Sequence, residues 1–153
     1  MKRIDGVEIF QLKKNCDERG FLMEVLREDF PIFKEFKMAY VSLNYPGVIR
    51  GWHYHKKQDD LFVCISGMVK VVLYDTREDS PTKCEVNEFF IGEENPQIIK
   101  IPVLVYHGYK TIGTKPSLLL NFPTELYDYK NPDEYRIPYN DPSIPYNWDI
   151  VFK

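Results

Sequence analysis

The three histidines of this 153-residue chain fall in two short segments, His53 and His55 in GVIRGWHYHKKQDD and His107 in IPVLVYHGYK. Imidazole is the side chain that gains and loses a proton near neutral pH, and in its neutral form it is a common metal ligand. Residues i and i+2 of an extended strand point to the same side, so His53 and His55 project together if their segment is a strand. Taken singly, each histidine reads as an ordinary hydrogen-bonded residue of the core or surface. Two on one face, with a third elsewhere, point instead to acid–base or metal chemistry.

The elements that must hold them are short and β-rich. Turn residues recur at Asp5-Gly6, Asn44 to Gly47, Ser66-Gly67, Glu78 to Pro81, Gly92 to Pro96 and Gly113 to Pro116. Between them the pattern predicts strands over 7–12, 20–26, 39–43, 48–53, 61–65, 69–74, 84–91, 97–101, 105–111 and 117–122. Helical signals are confined to 30–36 and to a turn after Pro132, where Asp133 and Glu134 suit a helix N-terminus. The class is all-β, with little helix, and the strand spacing is that of a sandwich or barrel. Segments 61–65 and 69–73 are apolar on both faces, so both faces of that sheet must be covered, and a second protomer is the expected cover. From residue 123 onward Tyr127, Tyr129, Tyr135, Tyr139, Tyr146 and Trp148 alternate with Pro and Asp, which reads as an ordered aromatic flank or lid.

Composition narrows the function classes. Twenty basic and 23 acidic side chains leave a net charge of −3, spread along the chain, with no footprint for nucleic acid or an anionic membrane. One domain over 1–153 is expected, carrying the flank 123–153. Cys16, Cys64 and Cys84 are odd in number and form no CxxC, which fits a reducing, cytoplasmic setting. No leader-like h-region follows the N-terminus, and no apolar run approaches the ~18 residues of a membrane span.

Gly47, His53-x-His55, Asp60 and Gly67 resemble the first cupin motif, with Asp where Glu is usual; Pro102, His107 and Thr111 resemble the second. That resemblance implies a double-stranded β-helix, or jelly roll. It also offers His53, His55, Asp60 and His107 as ligands for one divalent first-row metal ion, because nitrogen and carboxylate oxygen suit such ions.

The surrounding residues are similar to the dTDP-4-dehydrorhamnose 3,5-epimerase family over almost the whole chain. Asp17-x-Arg19-Gly20 with Glu24 resembles the family's DxRGxFxE, with Leu22 for the Phe. Arg50-Gly51-Trp52-His53-Tyr54 resembles RGLHY, Ile101-Pro102 with His107-Gly108-Tyr109 resembles IPxGxAHGF, and Asn140-Asp141-Pro142 with Ile144 and Trp148 resembles the tail motif. The resemblance implies an isomerase that inverts centres beside the C4 ketone of a nucleotide-linked keto-sugar in deoxysugar and polysaccharide biosynthesis, without a cofactor, as a homodimer. It makes His53 the base and Asp141 its partner, puts Arg19, Glu24, Asn44 and Arg50 on the nucleotide sugar, and sets His107 near the diphosphate or sugar ring. Tyr127 is the expected stacking partner of the nucleotide base. Asp141 also reads as a turn or cap residue before Pro142, and Arg19 and Arg50 as surface ion pairs.

Three departures bear on the chemistry. His55 stands where the family has Gln, Asp60 where it has the Lys that helps hold the enolate, and Leu120 where it has the catalytic Tyr. Tyr106, Tyr109 and Tyr127 are candidate replacements for that acid. The departures leave open a single-centre epimerase or 3,4-ketoisomerase, and equally a metal-holding or purely sugar-nucleotide-binding cupin.

Overall fold

The computed structural model describes residues 2–150, so the outermost residues of the expected domain and flank, 1 and 151–153, lie outside it. Among the described residues there is no helix. The strands are β1 Glu8–Gln11, β2 Lys14–Asp17, β3 Gly20–Met23, β4 Tyr40–Asn44, β5 Ile49–Tyr54, β6 Asp60–Ser66, β7 Met68–Asp75, β8 Val86–Gly92, β9 Gln97–Ile101, β10 Val105–Ile112, β11 Ser117–Asn121 and β12 Tyr135–Arg136. All ten expected strands form. The sequence reading missed β2, whose side chains are mostly exposed and carry no alternation, and the two-residue β12.

Two five-stranded antiparallel sheets, β1-β9-β6-β11-β4 and β12-β5-β10-β7-β8, face one another, with β2-β3 as a separate hairpin. Alternation along β6, β7 and β10 sends Phe62, Cys64, Val69, Val71, Leu73, Val105 and Tyr109 into the shared core. The two expected helices are corrected. Residues 30–36 form turns in which Ile32 is buried, and the segment after Pro132 becomes β12, whose backbone pairs with β5 instead.

The second protomer expected over the doubly apolar strands is also corrected, because the chain covers both outer faces itself. Leu61 and Val63 of β6 pack outward against Leu12, Ile32, Ile98 and Phe122, with Phe10, Met23, Val25, Leu26 and Phe30 alongside. Val72 and Tyr74 of β7 pack outward with Trp52 against Ile144 and Trp148 of the C-terminal flank. The flank is pinned there: the indole N–H groups of Trp52 and Trp148 both donate to the Tyr139 carbonyl, at 3.0 and 3.1 Å. Each outer face thus exchanges exposed apolar surface for packing at roughly 25 cal/mol per Å².

Candidate active site

The site lies where the two sheets open at one end. Strand β5 carries His53, and β10 carries His107 directly opposite it in register, with a bulge between His107 and Tyr109. The two rings are 4.2 Å apart and steeply tilted. The chain leaves β5 at His55 and returns through Asp60, the first residue of β6, so the opposing sheet delivers a carboxylate to the histidines of the first. Asp60 Oδ2 is 3.2 Å from His55 Nε2 and 3.2 Å from His107 Nε2. One ligand atom from each of His53, His55, Asp60 and His107 falls within 4.8 Å of the others.

These groups are held from behind. His107 Nδ1 donates to the Val105 carbonyl at 3.0 Å, His55 Nδ1 donates to the Asp133 carbonyl, and Gln58 Nε2 donates to Asp60 Oδ1 at 2.9 Å. Burial pushes the His53 imidazole well below the ordinary histidine range, and the neighbouring imidazole of His107 pushes the same way against the Asp60 carboxylate. Burial works to raise Asp60, but the hydrogen bonds from His107 and His55 outweigh it and hold the carboxyl well below its usual range. For His55 burial acts downward, and Asp60 with the Asp133 carbonyl overcomes it, raising the imidazole. The His53 imidazole is thereby kept in its neutral form.

A cavity of about 710 Å³ opens in front of it, lined by His53, His55, Arg50, Tyr40, Arg136 and Tyr127 among others. Arg50 is held by its Nε–H donating to Asn44 Oδ1, and Asn44 Nδ2 donates to the Tyr109 hydroxyl at 3.1 Å. Asn44 is buried, so it orients Arg50 from behind. Tyr127 stands at the rim, its ring 5.0 Å from that of Tyr129. His107 is 1% exposed and lies behind His53, so it supports the cluster instead of facing the cavity as the sequence suggested.

Three further expected site residues are brought neither to this cavity nor to the histidine cluster. Asp141, expected to back His53, accepts from the Ser143 N–H at 2.9 Å and the Ser143 hydroxyl at 2.6 Å, which makes it a turn cap; the carboxylate facing the histidines is Asp60. Arg19 pairs with Asp17 in the exposed β2-β3 turn, and Glu24 pairs with Arg27. Of the candidate replacements for the acid, Tyr106 packs against Tyr54 on the outer face, whereas Tyr109 and Tyr127 line the cavity.

Leu120 points into the outer layer with Phe122 and Leu12, so it is the wrong face of β11 for any proton donor. The inward neighbours are Leu119 and Asn121, and Asn121 Nδ2 donates to the Tyr40 hydroxyl at 2.9 Å across the β11-β4 pair. Burial pushes the Tyr40 hydroxyl above the ordinary phenol range, with the Asp60 carboxylate acting in the same direction. Tyr40 was missed because β4 has no motif around it. Arg136 was missed because β12 was read as a helical turn.

A dTDP-4-dehydrorhamnose 3,5-epimerase family model matches residues 1–153. The chain belongs to that family. Within it, the chain is 52% identical to the probable low-salt glycan biosynthesis epimerase Agl13 of Haloferax volcanii, over 97% of each chain. A dTDP sugar isomerase from Desulfovibrio desulfuricans superposes with a TM-score of 0.90 at 30% identity, over 95% of this chain and 92% of that one. The 3,5-epimerase RmlC of Legionella pneumophila, solved with dTDP-4-keto-L-rhamnose, superposes with a TM-score of 0.84 at 27% identity, over 98% and 82%. This member of the family is thus an isomerase of the carbohydrate-epimerase type on the cupin jelly roll, and its relatives act in glycan biosynthesis. None of its described helices could cross a membrane, since it has none.

Proposed function

We propose that this epimerase inverts a carbon beside the C4 ketone of a dTDP-4-keto-6-deoxyhexose, with His53 as the base and Tyr40 as the acid. The observation that carries the reading is the pairing of a neutral, cavity-lining imidazole from one sheet with a phenol from the other. His53 takes the carbon-bound proton, and the C–H electron pair moves into the carbon–carbon bond of an enolate with its charge on the ketone oxygen. Tyr40 gives its proton to the opposite face of the same carbon, and the hydrogen bond from Asn121 stabilises the phenolate left behind. Solvent restores the Tyr40 proton, and the proton on His53 leaves to solvent.

Arg50 and Arg136 line the same cavity and suit the two phosphates, since a guanidinium forks onto phosphate oxygens. Tyr127 offers its ring at the rim to the nucleotide base. Arg19 and Glu24 fit the substrate role only through a second copy. Strand β4 is a sheet edge bearing Val41 and Leu43, both more than half exposed, and the β2-β3 hairpin exposes Phe21 and Leu22 similarly. A homodimer that seats one protomer's hairpin near the other's β4 would cover both and carry Arg19 and Glu24 toward the partner's cavity. The exposed thiols of Cys16 and Cys84 suit a cytoplasmic enzyme.

The test incubates the protein with dTDP-4-keto-6-deoxyglucose in deuterated water and follows the C3 and C5 protons by NMR. Exchange at one or both carbons is expected, with loss of exchange in His53→Ala while calorimetry shows that dTDP still binds. Undiminished exchange in His53→Ala overturns the assignment of the base.

A further inference from the structure

We propose that the Tyr109 hydroxyl is a substrate-binding donor, directed together with Arg50 at the diphosphate of the nucleotide sugar. The inference rests on the reading of Arg50 as a phosphate ligand, and it gives that site a second donor that carries no charge.

The polarity of the hydrogen bonds at Asn44 carries the argument. Arg50 Nε can only donate, so the Asn44 amide must turn its oxygen toward Arg50. That leaves Nδ2 for Tyr109, and an amide nitrogen can only donate, so the Tyr109 oxygen accepts, at 3.1 Å. Asn44 is buried, and its Nδ2 also reaches the Ser42 carbonyl at 3.4 Å, so the amide is held at both ends. The phenol keeps its own proton throughout. Among the described residues none accepts that proton.

The side chain that carries it is fixed. Tyr109 is 3% exposed and packs edge-on to Phe62 in the inter-sheet core, with ring centroids 5.8 Å apart, so its ring cannot swing away. It nevertheless lines the cavity beside Arg50, its Cα partner across β10 and β5. A phenylalanine would fill the same core volume, so the hydroxyl is the part of Tyr109 that packing does not require. It is also the only polar atom that the side chain can present to a ligand.

One amide thus orients two donors. Arg50 spends only its Nε on Asn44, which leaves the terminal N–H groups of the guanidinium for a ligand, and Tyr109 has its O–H left. Both are donors without acceptors, so the group that satisfies them must be rich in acceptor oxygens. A diphosphate is such a group: its several anionic oxygens can meet a forked guanidinium and a hydroxyl at once, and a hydrogen bond to an ionised acceptor is stronger than one to a neutral sugar hydroxyl.

The probes are dTDP, titrated by calorimetry, and thymidine, titrated by NMR, against the full chain and its Tyr109→Phe, Arg50→Gln and doubly substituted variants, each first checked for folding by urea unfolding. Tyr109→Phe is expected to weaken dTDP about tenfold or more and to leave thymidine binding as in the wild type. With the keto-sugar as substrate, the loss is expected in KM. The same weakening of dTDP should persist when Tyr109→Phe is added to Arg50→Gln, since a hydroxyl that donates directly does not act through Arg50. No further loss in the double variant would mean that Tyr109 only seats Asn44 and Arg50, and overturns the proposal. Equal weakening of thymidine overturns it as well, and so does a loss confined to turnover with dTDP affinity intact. If Arg50→Gln weakens dTDP and Tyr109→Phe does not, Tyr109 alone is removed and Arg50 keeps its phosphate role. If Arg50→Gln binds dTDP as the wild type does, the phosphate reading of Arg50 falls and this proposal falls with it.

Discussion

Gly51 and Gly108 face one another across β5 and β10 so closely that a methyl group on Gly108 would lie 2.9 Å from the Gly51 Cα and 2.9 Å from the Arg50 carbonyl. Each glycine is the neighbour-but-one or neighbour of a functional histidine, and their contact is what lets the His53 and His107 rings meet. Trp148 closes the same spot from outside, 3.3 Å from where the Gly108 methyl would be. Backbone cannot yield as a side-chain tip can. Gly108→Ala is therefore expected to lower stability by about 1–3 kcal/mol through overpacking, measured by urea unfolding, and to reduce proton exchange by separating the two strands.

Asp75 begins a second prediction, remote from the site. Its buried carboxylate accepts from Arg77 at 2.8 and 2.9 Å, from the Ser80 hydroxyl at 2.6 Å and from the Thr82 hydroxyl at 2.7 Å. Burial acts to raise its carboxyl, and these bonds overcome burial and hold it far below the usual carboxylate range. The unfolded chain binds this proton near pH 3.9. Asp75 therefore contributes its full stabilisation above that pH and loses it as pH falls from there toward the depressed folded value. Asp75→Asn should cost about 1–3 kcal/mol at pH 7, and the gap to wild type in urea unfolding should narrow at pH 3. A gap that stays constant between the two pH values would exclude the carboxylate's charge as its source.

Most of the fold was legible because turn residues and short β-rich runs state their own boundaries. What covers the doubly apolar strands was not legible. Leu61 and Val72 announce that both sheet faces are buried, yet nothing local says that residues 10–32 cover one and 137–148 the other, since those contacts join distant parts of the chain. The histidine cluster was legible from i, i+2 spacing and motif resemblance together. The exact face of β11 was not: its side chains alternate between the core and the outer layer, and the position to which the resemblance points, Leu120, falls on the outward side. Tyr40 becomes visible only when β4 is placed beside β11.

That placement makes Tyr40→Phe informative. The substitution removes the hydroxyl that accepts from Asn121 and leaves the ring, so the cavity wall persists. Loss of a general acid costs about 10²–10⁴-fold in turnover to the inverted product. His53 still removes and returns a proton on its own face, so deuterium wash-in without inversion is the expected NMR result. Product formed at the wild-type rate would show that another group, with Tyr109 the next candidate on the cavity wall, delivers the proton.

Asp141 separates the motif from the geometry. By resemblance it backs the base, but here its carboxylate is occupied by the Ser143 N–H and hydroxyl, and those bonds hold it below the usual carboxylate range. The carboxylate whose field reaches His53 is Asp60. Asp141→Ala should then remove a turn cap and lower the midpoint of thermal or urea unfolding slightly, with the exchange rate on the keto-sugar close to wild type. A hundredfold loss of exchange with unchanged stability would instead restore the pairing of Asp141 with His53, reached through a rearrangement of the tail when substrate binds.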